Sequence, residues 1–170
     1  MKKLKIFIPI IAAAIIFSGC QKGDSLANAI PKDAMWVAHF DVKSMLKKAD
    51  CNLFENDVVK SALLMAKASF PNEEVGKLID EFQKNPNSLG ITLTDEAYIF
   101  MNDLSVGFLF PVNDAKKLEN NLLSLGMVDK DDLIRQKNVT VLYLGEYSIA
   151  WDKSKLLIFV NYPNEMDDSE

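Results

Sequence analysis

Residues 139–162 read VTVLYLGEYSIAWDKSKLLIFVNY, and the fold is decided here. Three runs, Val139 to Leu144, Tyr147 to Trp151 and Leu156 to Tyr162, are rich in β-branched and aromatic residues, the types that suit a pleated, half-buried surface. The spacers between them, Gly145-Glu146 and Asp152-Lys153-Ser154-Lys155, are short enough for antiparallel hairpins. A three-stranded meander is therefore expected at the C-terminal end of the domain. Tyr143, Tyr147 and Trp151 alternate along it, and an antiparallel sheet can leave one face to solvent, so these three are candidates for an aromatic surface that binds a sugar or a peptide. The phenylalanines of the strands, Phe108, Phe110 and Phe159, read as core.

Upstream, the same period of two recurs in Ala97 to Met101 and Val106 to Val112, on either side of the turn Asn102-Asp103-Leu104-Ser105. Between this hairpin and the meander, Asn113 or Asp114 can cap a helix that turns Ala115, Leu118, Leu122 and Leu125 inward and ends at Gly126. Further toward the N-terminus the period becomes helical three times. Asp41 can cap a helix with Val42, Met45, Leu46 and Ala49 on one side. A second helix is expected over about Leu53 to Ala68, with Leu53, Phe54, Val58, Ala62, Leu63 and Ala66 on a stripe, and Pro71 follows it. Asn72 precedes Glu73 and Glu74, whose charges suit a helix N-terminus, and Val75, Leu78, Ile79 and Phe82 form the apolar face before Asn85-Pro86-Asn87 stops the helix. Ahead of all these, Met35 to Phe40 sets Trp36, Ala38 and Phe40 against Met35, Val37 and His39. Both sides of this first strand are apolar enough to predict that it is largely buried. The order implies an α+β domain, a mainly antiparallel sheet with about four helices packed on one face.

The first residues carry an address. Lys2, Lys3 and Lys5 precede the uncharged run Ile6 to Phe17, the pattern of an export leader and too short for a membrane span, which needs about 20 apolar residues. Phe17-Ser18-Gly19-Cys20 resembles the lipobox of bacterial lipoproteins, small residues before a cysteine that is acylated and becomes the new N-terminus. The resemblance implies a signal peptide over 1–19, lipid on Cys20, a tether over 20–29, a domain over 30–163 and an acidic, frayed tail over 164–170. Membrane attachment then runs through the lipid, since several acyl chains on one cysteine hold firmly.

Charge and composition narrow the chemistry. The chain has 19 basic and 24 acidic residues, and loss of the leader would take its net charge from −5 to −8. Nucleic acid needs a basic surface that such a chain lacks. With Cys20 committed to lipid, Cys51 has no disulfide partner in the chain, and no nearby pattern marks it as a nucleophile. The seven glycines are too dispersed for a dinucleotide turn or a phosphate loop. His39 is the only histidine, so zinc sites and Ser-His-Asp triads would depend on it and on distant partners. As a strand residue it is expected to bond to backbone or to face solvent. Asp129-Lys130-Asp131-Asp132 is acidic enough for calcium but lacks the glycine and spacing of an EF-hand loop, and reads as a solvated connection. No acid is marked as half of a glycosidase pair. Hence no catalytic residue, metal site or cofactor is assigned.

Ile30-Pro31-Lys32-Asp33-Ala34 leading into Trp36 to Val42, and Leu89-Gly90-Ile91-Thr92-Leu93 ahead of Ala97 to Met101, resemble the Bacteroidota lipoproteins grouped as domain of unknown function 4836. Those proteins are usually several times longer, so the resemblance covers their N-terminal part and supplies no catalytic residues. It implies an outer-membrane lipoprotein, periplasmic or surface-facing. Cys20-Gln21-Lys22-Gly23-Asp24 is similar to an export signal of that group but is interrupted by Gly23 and carries a single acid. The function expected is a non-enzymatic module that binds a protein or glycan through a sheet face or edge. A structural or assembly subunit, the first part of a longer lipoprotein, or an envelope hydrolase are the alternatives.

Overall fold

A computed structural model describes residues 25–161 apart from 51, 53, 71, 103, 104 and 127. Expectations for the leader, the lipid-bearing Cys20, the tail, Cys51, Leu53, Pro71 and Tyr162 lie outside the described residues.

The fold is α+β. Its strands are β1 (Trp36–Asp41), β2 (Glu96–Asn102), β3 (Ser105–Pro111), β4 (Ile134–Gln136), β5 (Val139–Leu144), β6 (Tyr147–Trp151) and β7 (Lys155–Asn161). They form one antiparallel sheet in the order β1-β2-β3-β7-β6-β5-β4. The C-terminal strands β5 to β7 are the expected meander, and β4 extends it. Sequence reading missed β4 because three residues are too few to display an alternation. The two halves of the sheet join where β3 pairs with β7, with Phe108 opposite Ile158.

Among the described residues four α-helices accompany the sheet: α1 (Val42–Lys48), α2 (Asp57–Ser69), α3 (Glu73–Lys84) and α4 (Ala115–Ser124). Their caps follow the sequence closely. Asp41 accepts from Ser44 N at 2.9 Å, Asn72 from Glu74 N at 2.9 Å and Asp114 from Lys117 N at 2.9 Å. The second helix starts later than expected, at Asp57, because the side chain of Asn56 accepts from the backbone of Val58 and Val59. α2 and α3 form a hairpin held by Lys67 Nζ on Asp80 at 2.7 Å. The T-shaped contact of Phe54 with Phe82, centroids 5.1 Å apart, supports α3 from the turn before α2.

Opposed residues in an antiparallel pair share a face, so the register divides the core in two. On one face α4 places Leu118 over Leu142, Trp151 and Leu156, with Val128 and Leu133 closing the side. On the other face Leu26 and Ala29 pack on Phe100, Leu109 and Leu157. Those two residues belong to a 3-10 helix, Leu26–Ala29. The folded body therefore reaches into the stretch expected to be tether.

The step Leu89-Gly90-Ile91 fixes how α4 begins. Gly90 has φ +83°, a region that favours glycine, and its carbonyl accepts from Asn113 N at 3.1 Å and Asp114 N at 3.2 Å. Ile91 bridges to Val112. The motif is thus a clamp between the chain before β2 and the cap of α4.

Candidate functional site

The first strand departs most from expectation. Buried flanks were predicted, yet Met35 is 62% exposed, Trp36 52% and Val37 45%, and Phe40 is also open. β1 lies at the end of the sheet, and β2 is its only strand neighbour among the described residues. Apolar character on both sides of a strand is the same signal for a central strand and for an edge strand that awaits a partner, which is why the sequence misled.

Trp36, Ala38 and Phe40 point to the helix-bearing face, as do Ile99 opposite Ala38 and Phe108 opposite Ile99. α1 follows Asp41 directly and leans over this corner without filling it. The result is an open groove of about 490 Å³ whose walls include Phe40, Val42, Met45, Leu46, Ile99 and Phe108. Its lining residues are all apolar, so it can reward burial of hydrocarbon but cannot orient a polar group. Met45, 57% exposed, stands at the mouth with a flexible thioether side chain.

On the opposite face of the same corner, His39 stacks on Tyr98 with centroids 4.5 Å apart, and its Nε2 lies 3.4 Å from Glu96 Oε2. Partial burial raises the Tyr98 phenol above its ordinary pKa, helped by the neighbouring Glu96 charge. His39 faces solvent, in keeping with the sequence reading.

The three aromatic candidates do not meet. Tyr143 lies opposite Ser148, whereas Tyr147 lies opposite Leu144 and Trp151 opposite Thr140. Tyr143 therefore points to one face and the other two to the reverse face. Trp151 is 2% exposed and belongs to the core beneath α4, while Tyr147 is 50% exposed. The Tyr143 hydroxyl is buried with no hydrogen-bond partner, and burial raises its pKa. No aromatic platform forms, because alternation along a hairpin reverses the face at each odd step.

A polar hollow of about 380 Å³ beside Trp151 is bordered by Lys116, Glu119, Arg135 and Lys153. Arg135 already spends its guanidinium on Glu119 at 2.8 and 3.1 Å, which raises its pKa further. In the acidic loop, Asp132 accepts from Asp129 N at 2.7 Å. Among the described residues no group of three or more His, Cys, Asp or Glu could hold a metal ion. No described helix is long and apolar enough to cross a membrane.

A family model described as Domain of unknown function (DUF4836) matches residues 26–168. No curated protein and no solved structure matches the chain.

Proposed function

The chain belongs to the family described as Domain of unknown function (DUF4836), and within it we propose a lipid-anchored, non-enzymatic interaction module of the bacterial cell envelope. Lipid on Cys20 holds it to the outer membrane, and the open side of β1 with its apolar groove receives a protein or glycan partner.

Lys2, Lys3 and Lys5, the uncharged run to Phe17 and the small residues before Cys20 support the anchor. The observation that carries the binding role is β1 itself: a six-residue strand, exposed along most of its length and apolar on the face of Trp36, Ala38 and Phe40, at the end of the sheet with no second strand neighbour among the described residues. An exposed apolar edge is a template for pairing and costs solubility unless something covers it. The adjoining groove adds apolar area to that edge.

Two measurements test the halves of this reading. Cells given an alkyne-tagged fatty acid should yield a labelled band of this protein, and Cys20→Ala should abolish the label and release soluble protein. A Cys20→Ala form that stays labelled in the membrane would refute the anchor. For the edge, a photo-reactive residue placed at Val37 should cross-link to a partner in intact envelopes, while one at Val58 on α2 should not. Equal cross-linking at both positions would refute a specific binding edge.

A further inference from the structure

We propose that the open side of β1 is covered by β1 of a second copy of this chain, running antiparallel about a two-fold axis at Ala38, so that two seven-stranded sheets become one. This names the occupant of the binding edge and rests on that reading.

The backbone separates the classes of occupant. Alternate residues of an edge strand hold N–H and C=O groups that no strand pairs. A lipid surface or an acyl chain would cover Trp36 and Phe40 but has neither acceptors nor donors for those groups in its hydrocarbon. An added strand satisfies them and buries the side chains together. The opposite end of the sheet makes the contrast. There β4 is three residues long, carries Arg135 and is followed by Lys137, which are the usual protections of an edge that stays free. β1 contains no lysine, arginine or proline, and its one acid, Asp41, is its last residue.

The order of side chains points to a second copy rather than an unrelated strand. On the groove side Trp36, Ala38 and Phe40 run large, small, large, and the pattern is symmetric about Ala38. Antiparallel pairing centred there sets Trp36 opposite Phe40 of the second copy twice, with the two Ala38 residues between. Val37 falls opposite His39 on the reverse face. Asp41, the charged residue of the strand, meets Met35 instead of another carboxylate. A register displaced by one residue would join the helix-bearing face of one copy to the opposite face of the other. Centring on Ala38 is also what lets both aromatics find each other, and Met45 at the groove mouth gives each incoming Trp36 an adaptable apolar neighbour.

The test uses the full-length protein in the membranes of producing cells, in a Cys51→Ser background. Directly opposed residues of an antiparallel pair have Cα atoms about 4.5 to 5.5 Å apart, within the reach of a disulfide. Mild oxidation of Ala38→Cys should give a covalent species of twice the mass. Trp36→Cys and Phe40→Cys should cross-link when co-produced and not when either is alone, whereas Val58→Cys should stay monomeric. Absence of every homodimeric species, with circular dichroism unchanged from wild type, would overturn the second copy. In that case, a photo-reactive residue at Val37 that captures a different protein or a glycan would leave the binding edge standing. Capture of nothing would remove both.

Discussion

An alanine at Gly107 would push a methyl group into the ring of Phe100, which lies directly opposite on β2 and is fully buried. The ring is also held from the far side by Phe159, at 5.6 Å and nearly perpendicular, so it has little room to yield. Gly107→Ala should lower stability by about 1–3 kcal/mol, the usual range for overpacking. Urea unfolding measures it, and Phe100→Leu in the same chain should recover part of the loss if the collision is the cause. Gly90 combines two obligations, positive φ and closeness to the backbone of Asp114 and Leu118. Gly90→Ala should therefore cost at least about 1–3 kcal/mol, the scale of left-handed strain alone. Tyr143 runs the other way. Its hydroxyl is buried and unpartnered, so Tyr143→Phe should leave stability equal or raise it by up to about 1 kcal/mol, and the same variant should remove a late-ionising phenol from the ultraviolet titration.

Asp41 ends β1 and opens α1, and at the scale of elements its carboxylate decides where strand becomes helix. Hydrogen bonds from Ser44, side chain and then backbone, hold its pKa below the ordinary 3.8. A depressed carboxylate contributes stability that is present above that ordinary value and lost as pH falls below it. Asp41→Asn keeps a capping acceptor without the charge. Wild type and variant should thus differ most near neutral pH and converge in thermal melts as pH falls below 3.8 and through the lowered pKa, while a constant difference across that range would assign the effect to something other than the carboxylate. Elements of this kind were legible in the sequence because their signals are local. As caps and turns, Asn72, Asp114, Gly126 and the hairpin Gly145-Glu146 act within four residues of their own position. What was illegible depends on neighbours far along the chain. The exposure of Trp36 follows from β1 being last in the sheet, and the burial of Trp151 from α4 lying over it. Neither pattern of alternation encodes that difference, so the expected aromatic site was drawn on strands whose faces the fold assigns oppositely.

The whole molecule is unevenly secured. The sheet is packed on both faces, with Leu142 fully buried beneath α4 and Leu109 and Leu157 fully buried on the reverse face, whereas α2 has no buried residue and α3 buries Gly76 alone. Lys67 with Asp80, and Asn72 reaching the carbonyl of Leu125 at 3.1 Å, are the polar ties of this hairpin. Exposed ion pairs contribute roughly 0–1 kcal/mol, so the hairpin should open at a lower free energy than the sheet. Native-state hydrogen exchange resolves the two: amides of β3, β6 and β7 should exchange only through global unfolding, and those of α2 through a smaller, local opening. The tryptophans offer an independent view of the same hierarchy. With Trp36→Phe, the remaining indole of Trp151 sits 2% exposed in the core, and its emission should be blue-shifted until the sheet unfolds. A limited protease that cuts α2 without moving that emission would show the hairpin opening while the core holds. Loss of the Trp151 signal in step with the first cut would instead make the hairpin part of one cooperative unit with the sheet.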